Sequence, residues 1–344
     1  MNHQDSVSCQ STPNHRISWR QLQDPENREN RNAGNGGDLV KHTVYLTTLD
    51  YFLGQSPWSN GLRVRECHAG RGMYAIPRDD ARRALLEGLY DPADADMDVF
   101  LHDMQRASQC ALRVWPSNLA ALEWYSGSAV LNAWRLKAAT AGSHLLEVYE
   151  LAPDTREILR AVFKDLRLRS LKVDVRIPPD PEDHRDFDGE LHIENNISTW
   201  GSQDLVLLDP FAMWRQDQDQ LRRDRYGRII DSLLGREEDS PLLSLFWTWG
   251  QAFPAADGDL KDTNTRVRHG YQDLRDRLHR VGRRFIRVAW RWGLQFAMWI
   301  LVPDSHLIGL SVALQQRCSE MRDHLLRRGC RGRLTCPDVE VIVD

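Results

Sequence analysis

The chain has 344 residues, of which 27% are charged and 41% belong to the apolar set, and its net charge is −4. That length holds one large domain with insertions or two small ones, and the composition excludes a disordered chain. A slightly acidic chain has no global attraction for nucleic acid, so any RNA or DNA contact must come from local basic patches.

The longest late apolar run, residues 296–302, is too short to span a bilayer, and the polar residues 1–32 do not read as a signal peptide. A cytoplasmic protein without membrane contact is expected. The six cysteines (Cys9, Cys67, Cys110, Cys318, Cys330, Cys336) form no Cys-x-x-Cys pair, so reduced thiols and no metal site are expected.

Residues 1–30 carry almost no large apolar side chains and read as a mobile polar tail, with a folded domain over 31–344. Order begins at Asn32-Ala-Gly-Asn-Gly-Gly-Asp-Leu-Val-Lys-His42. Its glycines mark a turn, Asp38 suits a helix N-cap, and Leu39, Val40, Val44, Leu46, Leu49 and Phe52 recur at helical spacing. Such a turn offers free backbone N–H groups to a carboxylate, although a helix that simply starts after a loop explains the same residues.

The stretch Val64-Arg-Glu-Cys-His-Ala-Gly-Arg-Gly-Met-Tyr74 organises the rest. A short β-prone run delivers Glu66, and Gly70 and Gly72 follow as a Gly-x-Gly turn that lets the backbone pass close to a ligand. The third glycine of the dinucleotide fingerprint would fall at Ala75, and Pro77 stands where a phosphate-capping helix should run. That argues against NAD and leaves room for S-adenosylmethionine, which has no pyrophosphate.

Residues 76–143 read as a helical insertion, with helices over 81–89, 107–114 and 129–139. A strand over 145–149 then ends in Glu150, where adenosine-binding sheets place the acid that bonds the ribose hydroxyls; a solvated strand-end charge is the alternative. A helix over 154–166, a strand over 171–177 and a further strand over 191–195 come next. Leu205-Val-Leu-Leu208 suits a strand buried on both faces, with Asp209 at its carboxyl end. Asp209 there can accept a hydrogen bond from an amino group, and Phe211 and Trp214 can stack on a base. An N-cap role would explain Asp209 but not the aromatics.

Arginines recur over 215–236 and 266–291, alternating with acids as on a solvated helix face or a nucleic-acid patch. Strands over 242–248, 285–290 and 295–302 follow, the last two as antiparallel neighbours, and then a helix over 311–328 and a strand over 339–343. About seven strands with helices between them make an α/β doubly wound sheet. Trp247, Trp249, Trp290, Trp292 and Trp299 are expected to pack the core or its rim.

Over 31–303 the chain resembles the RlmJ family, adenine-N6 methyltransferases of large-subunit ribosomal RNA. The family's His-Ala-Gly-Asn-His-Ala-Asp-Val-Leu-Lys-His run is similar to residues 32–42, and its Asp-Thr-His-Ala-Gly-Ala-Gly-Arg-Tyr turn is similar to Glu66-Cys-His-Ala-Gly-Arg-Gly-Met-Tyr74. Its Tyr-Pro-Gly-Ser-Pro-Leu segment resembles Tyr125-Ser-Gly-Ser-Ala-Val130, and its Glu-Leu-His-Pro resembles Glu150-Leu-Ala-Pro153. The resemblance implies a class I methyltransferase with a Rossmann-like sheet and S-adenosylmethionine held by His42, His68, Ser128 and Glu150, with Lys41 near its carboxylate. Glu194, at the end of the expected strand, is matched to the acid that meets the adenine, and Asp209 falls on the catalytic acid, followed by Pro210 and Phe211.

Two departures accompany the likeness. Adenine-N6 enzymes of this type carry Asp-Pro-Pro-Tyr where this chain has Asp209-Pro-Phe-Ala212, and the family's N-terminal Tyr-Arg-His reads Asn27-Arg-Glu29. The Asp-Pro-Phe turn also resembles that of three-Cys-motif partner methyltransferase-like proteins. Three functions are therefore expected as alternatives: methylation of an adenine amino group in nucleic acid, RNA rather than DNA, by a monomer or dimer; methylation of another substrate; or cofactor binding without methyl transfer, exerted through a partner.

Overall fold

The computed structural model describes residues 36–67, 69–70, 72–77, 122–139, 142–150, 153–165, 173–176, 189–209, 220–235, 241–251, 276–292, 294–327 and 334–342. In chain order, α1 (Gly36–Leu53) leads to β1 (Arg63–Glu66), followed by β2 (Met73–Pro77), β3 (Leu122–Ser126), α2 (Ser128–Ala138), β4 (His144–Val148) and α3 (Pro153–Asp165). After these come β5 (Val173–Arg176), α4 (Gly189–Asn196), β6 (Asp204–Leu208), α5 (Gln220–Leu234) and β7 (Leu242–Gln251). The chain closes with β8 (Phe285–Trp292), β9 (Leu294–Leu301), α6 (Asp304–Arg327) and β10 (Leu334–Ile342).

Eight of these strands form one sheet in the order β10-β8-β9-β7-β6-β1-β4-β5. The run from β5 to β7 is parallel, whereas β9 lies antiparallel to both β7 and β8. The closing strand expected over 339–343 is β10, which begins earlier and lies antiparallel to β8 at the edge of the sheet. Pro337 falls at the register shift in β10, where a residue without an N–H is tolerated.

Apolar runs dictate the layering. Along β6, Leu205 and Leu207 enter one core with residues of α1, α2, α3 and α6, whereas Val206 and Leu208 enter a second with Ile193 of α4 and Ile229 and Ile230 of α5. Burying each such side chain is worth about 1.5–3 kcal/mol, so a strand apolar on both faces is stable only with a layer on each side. Trp290 and Trp299 are buried in opposite cores, in line with a packing role. The molecule is thus a mixed α/β structure around a mostly parallel sheet. Among the described residues, no helix is long and apolar enough to cross a membrane.

Two expectations are corrected. Residues 191–195 lie in α4 and are not a strand, because Ile193 and Ile197, four apart, are the pair that is buried. The region expected to be wholly helical is entered and left through strands: β2 pairs antiparallel with β3, Tyr74 opposite Tyr125. Aromatic and β-branched residues spread over two segments about fifty positions apart made the pair hard to read locally. The helix expected over 129–139 is α2, while 81–89, 107–114 and the tail lie outside the described residues. Elsewhere the boundaries move: α6 starts seven residues before the expected 311.

Candidate functional site

Strands β6, β1 and β4 are parallel neighbours, and their carboxyl ends carry Asp209, Glu66 and Glu150. Here the strand order reverses: successive crossovers from β1 run one way to β4 and β5, and the later ones run the other way to β6 and β7. A crevice opens at such a reversal, which is where α/β sheets collect ligands.

The glycine turn continues the sheet before leaving it. Cys67 N–H donates to Leu207 O (3.0 Å) and Ala69 N–H to Tyr149 O (3.1 Å), and Gly70 N–H then donates to the Glu150 carboxylate at 2.9 Å. Gly70 (φ +59°) and Gly72 (φ +75°) adopt left-handed backbone that favours glycine. A Cβ on Gly70 would lie 2.2 Å from the Tyr74 hydroxyl, and one on Gly72 would lie 2.8 Å from Leu159 Cδ1 and 3.2 Å from Val130 Cγ2. The space at both glycines is therefore taken by the protein's own side chains, which corrects the expectation that a ligand is what forbids a side chain there. Gly127 N–H donates to Gly72 O at 2.8 Å, fastening the turn to the start of α2.

Glu66 is fully buried at the end of β1. The Ser128 hydroxyl donates to one of its oxygens, and Asn132 Nδ2 donates to the other at 2.8 Å. Burial pushes its carboxyl up to about 8, against the opposing pull of those two bonds and of the Lys41 charge. At neutral pH Glu66 is accordingly a neutral acid that ties β1 to the first turns of α2, and Ser128 is engaged with it.

Lys41 reaches from α1 into the same region. Its ammonium donates to Asp209 Oδ2 at 2.7 Å and pairs with Asp38 Oδ1 at 2.9 Å. Burial acts to lower its pKa, but the Asp209 and Asp38 carboxylates outweigh burial and hold it well above the usual lysine range. Asp38 lies inside the first turn of α1 and not at the N-cap expected for it, and from there it serves Lys41 three residues on. The next residue, His42, is buried with its Nδ1 2.8 Å from the Tyr125 hydroxyl. Burial and then the Lys41 charge lower its pKa to about 3, so the ring is neutral.

The fold therefore brings Lys41, His42, Glu66, Gly70, Gly72, Ser128, Glu150 and Asp209 to one edge of the sheet and its adjoining helices. Glu194 is not joined to them by these bonds. It stands on α4 and accepts from the Arg228 guanidinium of α5, and the strand that was to deliver it is a helix. His68, Pro210, Phe211 and Trp214 lie outside the described residues.

Sequence reasoning missed the ion-pair role of Asp38 and missed Tyr74 and Asn132 altogether. Asp38 and Lys41 at i, i+3, and Ser128 and Asn132 at i, i+4, share helix faces, a spacing that could have marked both pairs. Nothing local marked Tyr74 as the neighbour of Gly70. Among the described residues, no group of three His, Cys, Asp or Glu could hold a metal ion.

No protein-family model matches the chain, and no curated protein does. Among solved structures, the crystal structure of protein LPL1258 from Legionella pneumophila str. Philadelphia 1, labelled with family DUF519, is similar to it. The TM-score is 0.54 at 15% sequence identity, over 90% of this chain and 98% of that one. At that identity the likeness is one of fold.

Proposed function

We propose that the chain is an S-adenosylmethionine-dependent methyltransferase of nucleic acid, acting on the exocyclic amine of adenine in RNA, as its resemblance to the RlmJ family implies. The observation that carries this reading is the placement of Glu150 on the glycine turn and of Asp209, with Lys41, on the neighbouring strand end. The strand order, reversing at β1 and with the antiparallel β9 set between β7 and β8, is compatible with the class I methyltransferase sheet that the resemblance implies.

The donor set fits the cofactor. A strand-end carboxylate held against Gly70 N–H suits a ribose diol, and the Asp38 and Asp209 carboxylates beside Lys41 suit a cationic group. A pyrophosphate would find less, because the glycine turn runs into β2 and not into a helix N-terminus. When bound, the cofactor would supply an electrophilic methyl group. Asp209 would accept a hydrogen bond from the target amine and orient its lone pair, and it need not take the proton before the nitrogen attacks. Neutral His42, fixed by Tyr125, would present an uncharged polar wall, and Phe211 and Trp214 follow Asp209 closely enough in sequence to stack on a base.

Nucleoside mass spectrometry of RNA and DNA from a strain lacking the gene tests the substrate: one methylated adenine in RNA should disappear. Calorimetry with S-adenosylmethionine tests the cofactor, and Asp209→Ala should lower methyl transfer by about 100-fold or more. An intact set of methylated bases would remove the nucleic-acid assignment, and absence of cofactor binding would remove the enzyme class. The altered Asp209-Pro-Phe-Ala212 motif favours one second reading, the same chemistry on a different amine, which predicts cofactor binding with all nucleic-acid methyl groups intact.

A further inference from the structure

We infer that Lys41 is a positioning residue for Asp209 and not a ligand of the cofactor's carboxylate. This rests on the methyltransferase reading for its consequence, though not for the contact itself.

The ammonium of Lys41 is already bonded to two carboxylates, Asp209 at 2.7 Å and Asp38 at 2.9 Å, and its side chain is 10% exposed. At least two of the three donors of this ammonium are thus committed to carboxylates. A third carboxylate would bring a further negative group to an ammonium that already holds two, in a site largely shielded from water, where repulsion between them is screened least. The amino acid end of the cofactor would meet this cluster better through its ammonium than through its carboxylate.

What the contact does is mechanical as well as electrostatic. Asp209 follows the last residue of β6, and a carboxylate at a strand end can rotate about two side-chain bonds. Lys41 lies on α1, 168 residues away in sequence, and is itself steadied by Asp38 one turn back. With one oxygen fixed by a charged donor from a packed helix, the carboxylate holds one orientation. Misplacing such a group by about 1 Å is enough to lose about 100-fold in rate.

The experiment uses the full chain as wild type, Lys41→Met, Lys41→Arg, Asp209→Asn and the Lys41→Met/Asp209→Asn double variant. S-adenosylhomocysteine binding is measured by calorimetry, methyl transfer to RNA from the gene-lacking strain is measured by rate, and stability by urea denaturation. Positioning predicts that Lys41→Met keeps its affinity for S-adenosylhomocysteine within about threefold while methyl transfer falls about 100-fold through kcat, and that Lys41→Arg regains most of that loss. A loss of affinity of about 30-fold or more in Lys41→Met, with kcat retained, overturns the inference and makes Lys41 a cofactor ligand. The folding equilibria supply a readout free of any cofactor. Coupling of about tenfold between the two substitutions, about 1.4 kcal/mol, supports the pair, and additivity overturns it. If wild type binds no S-adenosylhomocysteine, the proposed function fails while that cycle still decides whether Lys41 holds Asp209.

Discussion

The two ends of β6 bury charge in opposite ways. At the amino end, Asp204 is fully buried and accepts from Arg63 (2.7 Å), from Arg65 Nε (2.8 Å) and from Gly201 N–H (2.7 Å). Arg65 also pairs with Glu147, which in turn accepts from the Tyr149 hydroxyl at 2.7 Å, and its guanidinium lies over the Trp200 ring. At the carboxyl end, Lys41 answers two carboxylates while a third acid, Glu66, is buried beside them and neutral. A cluster in which cations answer acids is framework that fixes the register of β1, β4 and β6. Where a buried acid is answered by neutral donors instead, as Glu66 is by Ser128 and Asn132, it keeps its proton.

The largest effect should come from the matched end. Asp204→Ala leaves buried Arg65 with Glu147 alone, takes this acid from Arg63, whose side chain is 38% exposed, and is expected to cost about 3–5 kcal/mol in urea denaturation, with the proposed cofactor's affinity for the folded fraction unchanged. A cost under about 1 kcal/mol would erase the distinction between the two ends.

Next in size is a pH effect at the unmatched end. The Glu66 carboxyl is raised on folding from the ordinary range to about 8, so its contribution is complete below about pH 4.5 and is lost as pH rises toward 8. Between those limits it should tilt stability downward by at most about 1.4 kcal/mol per pH unit. Glu66→Gln, which keeps the shape and cannot ionise, should flatten that slope in melts taken from pH 5 to pH 8. An unchanged slope would mean that Glu66 ionises without penalty.

The smallest effect concerns the turn between the ends. Gly70→Ala, at φ +59° and facing the Tyr74 hydroxyl, should cost about 2 kcal/mol in thermal denaturation, and part of that should return in a Tyr74→Phe background. Equal costs in both backgrounds would show that backbone conformation, and not the hydroxyl, demands the glycine.

Much of the fold was legible because its signals are local. Four apolar residues before Asp209 need two covering layers, and the spacing of Leu39, Val44, Leu46 and Phe52 needs a helix. Where the pattern was thin, as at Leu191-His-Ile-Glu-Asn195, strand and helix could not be told apart from one buried isoleucine, and Glu194 was placed on the wrong element. The β2–β3 pair escaped notice because each strand is defined by a partner about fifty residues away.

The order of residues alone determined that Glu66, Glu150 and Asp209, though not Glu194, close strands and where the backbone needs glycine, since strand ends and left-handed turns follow from near neighbours. Tertiary structure decided what those groups are. Only packing could pair Lys41 with Asp209 across 168 residues, keep a proton on Glu66 by taking it out of water, and set Tyr74 and Leu159 against the two glycines. Each of these depends on distance in space and on exclusion of solvent, and neither is written in the spacing along the chain.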